Sequence, residues 1–322
     1  MKKYLFKGLL LITLILLVFA VAGCGGSQPV ADEQTPAEEQ QEATAEKTTT
    51  ITVSSKPWTE NILLGQLLLD YLENNGYPVE NQLALGETNM LRPALESGQI
   101  DVYWEYTSTL VEVLMKGTPN PDKDANFKQA HDWDLENNNI KWLDYAPLND
   151  TYAFVANPDF AAKYNLKTAS ELVELINSGE KIIMCAAEDY VKRSDGLPHI
   201  EEVYGFKFPR ENIKTVAWGL NLLALNEGEA DINVCCTTDA KLKEYNVVIL
   251  EDDKHAFPDY YAAPTFRNEI IETYPELPEL VKKLSSVLDT ETMIGLNYQV
   301  DVEGKSHEEV SRSFLQEKGL LK

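Results

Sequence analysis

The chain has 322 residues, of which 44% are hydrophobic and 25% are charged, so it carries enough apolar side chains for a large core, and global disorder is excluded. Lys and Arg number 28 against 52 Asp and Glu, and the formal charge of -24 at pH 7 excludes the polybasic surface on which nucleic-acid binding depends. The length exceeds what one hydrophobic core usually serves, so we expect two lobes.

The N-terminal segment has the pattern of a secretory signal peptide. Three lysines precede an apolar run over residues 8–23, which is short for a membrane span. The run ends in Val-Ala-Gly followed by Cys24, and this resembles the lipobox of bacterial lipoproteins. The resemblance implies cleavage before Cys24, acyl chains on that cysteine, and an extracytoplasmic protein anchored to the cell membrane by lipid. An uncleaved signal anchor is the alternative.

The segment that follows Cys24, up to residue 50, is rich in Gly, Ser, Gln, Pro, Ala, Thr and acidic residues. It buries too little apolar area to offset the entropy of ordering it, so we predict a disordered tether. All but six of the 52 acidic residues follow this segment, so the negative charge belongs mainly to the folded part of the chain.

The folded part begins with a β-branched stretch and an apolar helical pattern, which together predict a strand followed by a helix. Residues 94–102 read ALESGQIDV and residues 224–232 read ALNEGEADI, so the pattern A-L-x-x-G-x-x-D-[VI] recurs at an offset of 130. In each copy a helix that ends at glycine precedes a strand that begins at aspartate. We therefore predict an α/β fold with two similar lobes and a cleft between them. The plainer alternative is that this pattern is a common helix-to-strand joint.

Three helical patterns follow residue 274, and we expect these helices to return to the first lobe. The chain would then cross between the lobes near Pro147 and near Pro258, and two crossings make a hinge. The predicted domains are a signal peptide, residues 1–23; a lipidated tether, 24–50; lobe 1, 51–147 plus 258–322; and lobe 2, 148–257.

Eight motifs follow one another along the folded part of the chain. They are SKPWTE at 55–60, GETN at 86–89, EYTST at 105–109, NDTYA at 149–153, RSDGLP at 193–198, TTD at 237–239, LEDDK at 250–254 and NYQVD at 297–301. In this order they resemble the substrate-binding proteins of ABC importers for glycine betaine, carnitine and choline. The resemblance implies a two-lobed periplasmic-binding-protein-like fold of type II that closes on a quaternary ammonium compound and delivers it to a membrane permease. It implies neither catalysis nor a cofactor nor a metal.

A quaternary ammonium group has no N–H to donate, so aromatic faces and methyl burial must hold it. Each dehydrated aromatic face contributes about 0.5–2 kcal/mol. A carboxylate tail, where the ligand has one, requires cationic or hydroxyl donors. By motif, the resemblance implies an aromatic cage, a polar neighbour and a carboxylate-binding set. These are Tyr106, Tyr152 and Tyr260 for the cage, Asp150 beside it, and Lys56, Thr109 and Arg193 for the carboxylate.

The sequence departs from the family at Cys236, where the resemblance implies another cage tyrosine. The repeat points to the same place, because its offset of 130 takes Tyr106 to Cys236. A thiol offers a cation far less face than a phenol. The cage therefore has an open wall, or it borrows a ring from Tyr261, Trp104 or Trp218. Three readings remain for this cysteine and the one before it: small buried residues, a vicinal disulfide, or a redox-sensitive pair.

Each candidate has a structural alternative. The tyrosines could be strand aromatics, Lys56 and Arg193 could be surface charges, and we assign Trp58 to the core. The four histidines form no H-E-x-x-H and no G-x-S-x-G accompanies them, which disfavours a hydrolase, and they are too scattered for a metal site. An amino acid or other zwitterion, paired with Glu105, Asp150 or Asp195, is the alternative ligand. A ligand-sensing receptor is the alternative role.

Overall fold

The computed structural model describes residues 47–192, 196–216 and 220–321. Its strands are β1 (Ile51–Ser54), β2 (Val79–Gln82), β3 (Val102–Tyr106), β4 (Ile140–Trp142), β5 (Tyr152–Ala156), β6 (Met184–Ala186), β7 (Ile213–Thr215), β8 (Ile232–Cys236), β9 (Val248–Ile249) and β10 (Ala262–Arg267). Its helices are α1 (Thr59–Asn74), α2 (Thr88–Glu96), α3 (Thr107–Thr109), α4 (Lys123–Asn138), α5 (Pro158–Tyr164), α6 (Ala169–Asn177), α7 (Glu188–Lys192), α8 (Leu197–Tyr204), α9 (Asn221–Asn226), α10 (Lys241–Glu244), α11 (Asn268–Thr273), α12 (Leu277–Ser285), α13 (Thr290–Asp301) and α14 (His307–Glu317). A π-helical turn, Leu110–Leu114, continues α3, and a 3-10 turn, Arg210–Asn212, precedes β7.

Some of the sequence predictions fall on residues that are not described. These are the signal peptide, Cys24, most of the tether, Arg193, Asp195 and Trp218. Of the helices that are described, none combines the length and the apolar character needed to cross a bilayer.

The strands form two five-stranded sheets with the same arrangement. The first sheet has the order β2-β1-β3-β10-β4 and the second has the order β7-β6-β8-β5-β9. In the first, β1 runs parallel to β2 and β3, while β10 runs antiparallel to β3 and β4. In the second, β6 runs parallel to β7 and β8, while β5 runs antiparallel to β8 and β9. The predicted α/β fold with two similar lobes is confirmed.

The repeated sequence pattern forms the same joint in both lobes. Gly98 and Gly228 have φ values of 76° and 71°, in the left-handed region where a side chain is unfavourable, and each ends a helix. The aspartate three residues after each glycine accepts a hydrogen bond from a backbone N–H of the neighbouring chain segment. The backbone N–H of Thr52 donates to Asp101 at 2.9 Å, and that of Ile183 donates to Asp231 at 2.7 Å. The pattern A-L-x-x-G-x-x-D thus ends a helix and fixes the neighbouring strand.

Helix α1 forms the centre of the core of lobe 1. Its leucines recur at helical spacing and are buried, all but Leu69 completely. The helix packs against α13 and α14, so these two C-terminal helices contact the core helix of the first lobe. Burying a leucine side chain contributes about 1.5–3 kcal/mol, so this interface anchors the last segment of the chain.

The chain passes from the first sheet to the second between β4 and β5 and returns between β9 and β10. The two connecting segments pair with each other. Asn149 and Tyr261 form an antiparallel bridge, the N–H of Asp150 donates to the carbonyl of Tyr260 at 3.1 Å, and the N–H of Tyr260 donates to the Asn149 side chain at 2.8 Å. This pairing holds Asp150 and Tyr260 at the base of the cleft. The domain boundaries at residues 147 and 258 stay a prediction.

Candidate ligand-binding site

A cavity of about 220 Å³ lies where β3, β5 and β8 meet the two connecting segments. We call it the aromatic cavity, and its lining residues are Lys56, Trp58, Thr88, Tyr106, Thr109, Asp150, Tyr152, Cys236 and Tyr260. The structure thus brings together the three predicted cage tyrosines, Asp150, Cys236 and two of the three predicted carboxylate-binding residues. What these side chains bind stays a prediction.

Lobe 1 contributes Tyr106, the last residue of β3. The side chain is buried, and its hydroxyl donates to Glu60 Oε1 at 2.7 Å. Asn61 lies beside it, with Nδ2 at 3.5 Å from the hydroxyl oxygen. Burial and the negative charge of Glu60 raise the pKa of this phenol well above its ordinary value, so it stays protonated. The hydrogen bond to Glu60 therefore fixes the orientation of the ring.

Lobe 2 and a connecting segment contribute two rings that meet at a right angle. Tyr152 begins β5 and Tyr260 precedes β10, and their ring centroids lie 6.5 Å apart with an interplanar angle of 89°. The hydroxyl of Tyr260 donates to Glu112 Oε2 at 3.0 Å. Two orthogonal rings make adjacent walls of a corner, which is a geometry that can present aromatic surface to a compact cation.

Trp58 lies in the cleft, so its assignment to the core is wrong. Its side chain is 38% exposed and lines the aromatic cavity. The residue sits directly before α1 in an extended conformation, φ -102° and ψ 157°, outside the buried stripe of that helix. The Nζ of Lys56 lies 5.3 Å from the centroid of the indole. Trp58 adds an aromatic side chain to the cavity that the sequence analysis missed.

The rings proposed to replace the missing tyrosine lie elsewhere. Trp104 is fully buried inside the core of lobe 1. Tyr261 packs against Tyr145, with 5.1 Å between ring centroids. Neither lines the aromatic cavity, so neither replaces the tyrosine that is absent at position 236. Trp218 is not among the described residues.

Cys236 ends β8 directly opposite Tyr152 in the strand register. It is a free thiol, as are Cys235 and Cys185, so the described cysteines form no vicinal disulfide. Burial, and then the nearby carboxyl of Asp150, raise the pKa of the Cys236 thiol well above its ordinary value. The side chain therefore presents a small, neutral S–H to the cavity.

Lys56 is paired inside the protein. Its Nζ lies 2.5 Å from Glu105 Oε1, and both side chains are buried. Glu105 also accepts hydrogen bonds from the Tyr103 hydroxyl at 3.0 Å and from the backbone N–H of Tyr106 at 2.8 Å. The positive charge of Lys56 is thus compensated before any ligand arrives, and the pair fixes β3 against the loop that precedes α1.

Two further carboxyl groups, Glu60 and Asp150, lie close to the tyrosines. Asp150 accepts a hydrogen bond from the Thr238 hydroxyl at 2.8 Å. The Nδ2 of Asn297 lies 3.4 Å from Glu60 Oε2. Burial raises the pKa of both carboxyls, and the charge of Glu60 raises that of Asp150 further. A cation bound beside these two carboxyls would offset the repulsion between their negative charges.

A second cavity of about 590 Å³ adjoins the first. We call it the acidic cavity, and its lining residues are Trp58, Thr59, Glu60, Asp150, Tyr152, Cys236, Thr238, Asp239, Ala240, Lys241, Asn297 and Asp301. Trp58, Asp150, Tyr152 and Cys236 line both cavities, so the two spaces meet there. Among the described residues, no group of three or more His, Cys, Asp or Glu is placed to hold a metal ion, so these carboxyls do not form a metal site of that kind.

Comparison with known proteins identifies the family. Residues 49–317 match the model of the substrate binding domain of the ABC-type glycine betaine transport system. The glycine-betaine-binding protein of Pseudomonas aeruginosa is 31% identical over 278 residues, which are 84% of this chain and 89% of that protein. The ergothioneine transport permease/ergothioneine binding protein EgtU of Helicobacter pylori is also 31% identical, over 84% of this chain and 48% of that protein.

The fold is shared with solved structures. Apo YehZ from Escherichia coli superposes with a TM-score of 0.76 at 28% identity, over 85% of this chain and all of that chain.

The two relatives that are each 31% identical to this chain carry the names of different ligands, so overall similarity does not select among those ligands. The match over nearly the whole folded part shows that the chain belongs to the family of substrate-binding domains of ABC-type glycine betaine transport systems.

Proposed function

We propose that this protein captures a quaternary ammonium compound of the glycine betaine, carnitine or choline type outside the cytoplasm and delivers it to the permease of an ABC importer. One observation carries the proposal: aromatic side chains from both lobes and from a connecting segment converge on one cavity. They are Tyr106, Tyr152, Tyr260 and Trp58. We propose no catalytic step and no cofactor.

The chemistry of the cavity fits a methylated cation. Each aromatic face contributes about 0.5–2 kcal/mol when dehydrated, so a head group against several rings gains a few kcal/mol. The carboxyl of Asp150 in the lining, and that of Glu60 behind Tyr106, add negative charge without requiring an N–H donor from the ligand. Association itself costs several kcal/mol of translational and rotational freedom, so binding needs rings on more than one side. Closure of two lobes around a hinge supplies that arrangement.

Extracytoplasmic location follows from the family, since such domains serve importers. Lipid attachment at Cys24, and a tether to residue 50, remain part of the proposal. The roles of Lys56, Thr109 and Arg193 as carboxylate ligands also stay predictions. Lys56 and Thr109 line the aromatic cavity, where Lys56 already pairs with Glu105.

Calorimetric titration of the purified protein tests the proposal. The panel contains choline, glycine betaine, carnitine and ergothioneine, together with amino acids such as proline and glutamate. The decisive control is 3,3-dimethylbutan-1-ol, which has the shape of choline with carbon in place of nitrogen. We expect a quaternary ammonium compound to bind and the carbon isostere to bind at least about tenfold more weakly. Equal affinity for choline and its isostere, or a preference for an amino acid, would contradict the cage.

A further inference from the structure

The aromatic cavity is too small to hold a large ligand by itself. Its volume of about 220 Å³ lies below the roughly 300–1,000 Å³ that is usual for small-molecule sites. The acidic cavity next to it has about 590 Å³. The small thiol of Cys236 stands at the junction, in the position where the family resemblance implies a tyrosine. A ligand with its head among the rings can therefore extend its substituent past Cys236.

The charge of the acidic cavity selects the chemistry of that substituent. Of the residues that the structure describes, four carboxyl groups line it, from Glu60, Asp150, Asp239 and Asp301, against one lysine, Lys241. The carboxyls come from both lobes, because Glu60 of α1 and Asp301 of α13 belong to lobe 1 and Asp239, three residues after the end of β8, belongs to lobe 2. A carboxylate placed among them would be repelled, whereas an ammonium or another N–H donor would be attracted.

Asn297, which lines the same cavity, carries a buried acceptor without a partner in the described part of the chain. Asn297 is 4% exposed, and its Nδ2 donates to the carbonyl of Thr238 at 3.0 Å. Its Oδ1 has no hydrogen-bond partner among the described residues. An unsatisfied buried acceptor is unfavourable, so a small movement of this side chain that brought its Oδ1 to a ligand N–H would strengthen binding.

The described residues of the aromatic cavity offer little compensation for a carboxylate tail. Its lysine, Lys56, is paired with Glu105 at 2.5 Å. Glu105 is fully buried and accepts further hydrogen bonds, so releasing Lys56 toward a ligand would leave a buried charge less well compensated.

We infer that the acidic cavity holds the substituent of the ligand, and that this substituent carries N–H donors or a positive charge rather than a carboxylate. The inference rests on the proposed function, because the quaternary head group must occupy the aromatic cavity. Asp239, Asp301 and Asn297 accept from the substituent, and Cys236 leaves the passage open between the two cavities.

Four trimethylammonium probes test the inference by calorimetry with the purified protein. Tetramethylammonium reports the head group alone. Butyltrimethylammonium adds an apolar tail, (3-aminopropyl)trimethylammonium adds a tail ending in ammonium, and (3-carboxypropyl)trimethylammonium adds one ending in carboxylate. We expect the ammonium tail to raise affinity at least about tenfold over the butyl tail, and the carboxylate tail to give no gain. The same tailed probes with five-carbon tails test whether a longer substituent is needed to reach the acidic cavity.

Variants connect the gain to the acidic cavity. In the double variant Asp239→Asn/Asp301→Asn, affinity for the ammonium-tailed probe should fall at least about tenfold more than affinity for tetramethylammonium. The matched control is Asp132→Asn/Asp144→Asn, which removes two exposed carboxylates outside both cavities and should change neither. Cys236→Tyr should abolish the gain from the tail by closing the passage, whereas Cys236→Ser should retain it.

The outcomes separate the two proposals. Failure of tetramethylammonium and of every tailed probe to bind would overturn the proposed function and the inference with it. If tetramethylammonium binds, a carboxylate tail that outperforms the butyl tail, or an ammonium tail without gain at either length, would overturn the inference alone. A gain that persists in Asp239→Asn/Asp301→Asn would also overturn it.

Discussion

The two lobes place their predicted cage tyrosines at the same position of equivalent strand pairs, but on opposite strands of the pair. In lobe 1, Tyr106 of β3 faces Ala262 of β10. In lobe 2, Cys236 of β8 faces Tyr152 of β5. Each rung thus pairs one large ring with one small residue. The aromatic residue thus stands on β3 in lobe 1 and on β5, the partner of the equivalent strand, in lobe 2. Lobe 2 therefore still presents an aromatic side chain at this position, although residue 236 is a cysteine.

The surroundings of the two rings differ more than their positions. Tyr106 is buried and bonded to Glu60, whereas Tyr152 is half-buried at the cleft and packs edge-to-face with Tyr260. The neighbouring rung differs as well, since β3 carries the ion-paired Glu105 where β8 carries the neutral Cys235. Lobe 1 therefore combines its binding surface with its core, and lobe 2 keeps them more separate.

Replacing Tyr106 tests this comparison with the largest expected effect. Tyr106→Ala should lower the free energy of unfolding by about 3–5 kcal/mol, as for other large-to-small changes of buried aromatics, and should also abolish choline binding. Tyr106→Phe keeps the ring and loses the hydroxyl that donates to Glu60 and lies beside Asn61, so it should cost about 1–3 kcal/mol. Urea denaturation and calorimetry measure both. Unchanged stability in Tyr106→Ala would contradict the view that this ring belongs to the core.

Breaking the buried ion pair should have a comparable effect on stability in lobe 1. Lys56→Met leaves Glu105 buried and uncompensated, so we expect a loss of about 3–5 kcal/mol in the free energy of unfolding. The double variant Lys56→Met/Glu105→Gln should recover part of that loss. Cys235→Ala changes the equivalent rung of lobe 2 and removes no charge, so it should cost less. Equal losses at both rungs would contradict the asymmetry.

Tyr152→Ala should separate binding from stability in lobe 2. The ring is half-buried, so we expect a change of about 1 kcal/mol or less in stability and a loss of about 1–2 kcal/mol in choline binding. Tyr152→Phe retains the aromatic face and should bind within about threefold of the original protein. Calorimetry on all three proteins measures this, and a large stability loss without a loss of affinity would reverse the comparison.

Much of the fold was predictable because local chemistry determines it. The glycines at 98 and 228 end helices in the left-handed conformation, and Asp101 and Asp231 each accept a hydrogen bond from a backbone N–H at the start of the neighbouring strand. These signals lie within nine residues of sequence. The two-lobed arrangement follows because the same joint occurs twice, and the leucine stripe of α1 indicates which face later helices cover.

The site was only partly predictable. Family motifs led to the tyrosines, but Trp58 was missed because its exposure depends on the loop before α1, where helical periodicity gives no information. The acidic cavity combines Glu60, Asp239 and Asp301, which are distant in sequence and meet only when the lobes pack. The Lys56–Glu105 pair was missed for the same reason. Pairings of this kind depend on tertiary geometry, which composition and spacing do not encode.

The smallest expected effect concerns pH and the carboxyls beside the two rings. Burial raises the pKa of Glu60 above its ordinary value of 4.5 and that of Asp150 above 3.8. The charge of Asp239 raises the pKa of Asp150 further. Lys56 and Thr238 favour the charged form of Asp150, and Thr238 and Asn297 favour that of Glu60. A bound cation favours the ionised carboxyls, so choline affinity should fall as pH falls through the raised pKa values, beginning above pH 4.5. The change should be about tenfold or less. Binding should release protons, which calorimetry in buffers of different ionisation heat detects, and Asp150→Asn should flatten the profile. Affinity that rises on acidification would show that these carboxyls do not face the cation.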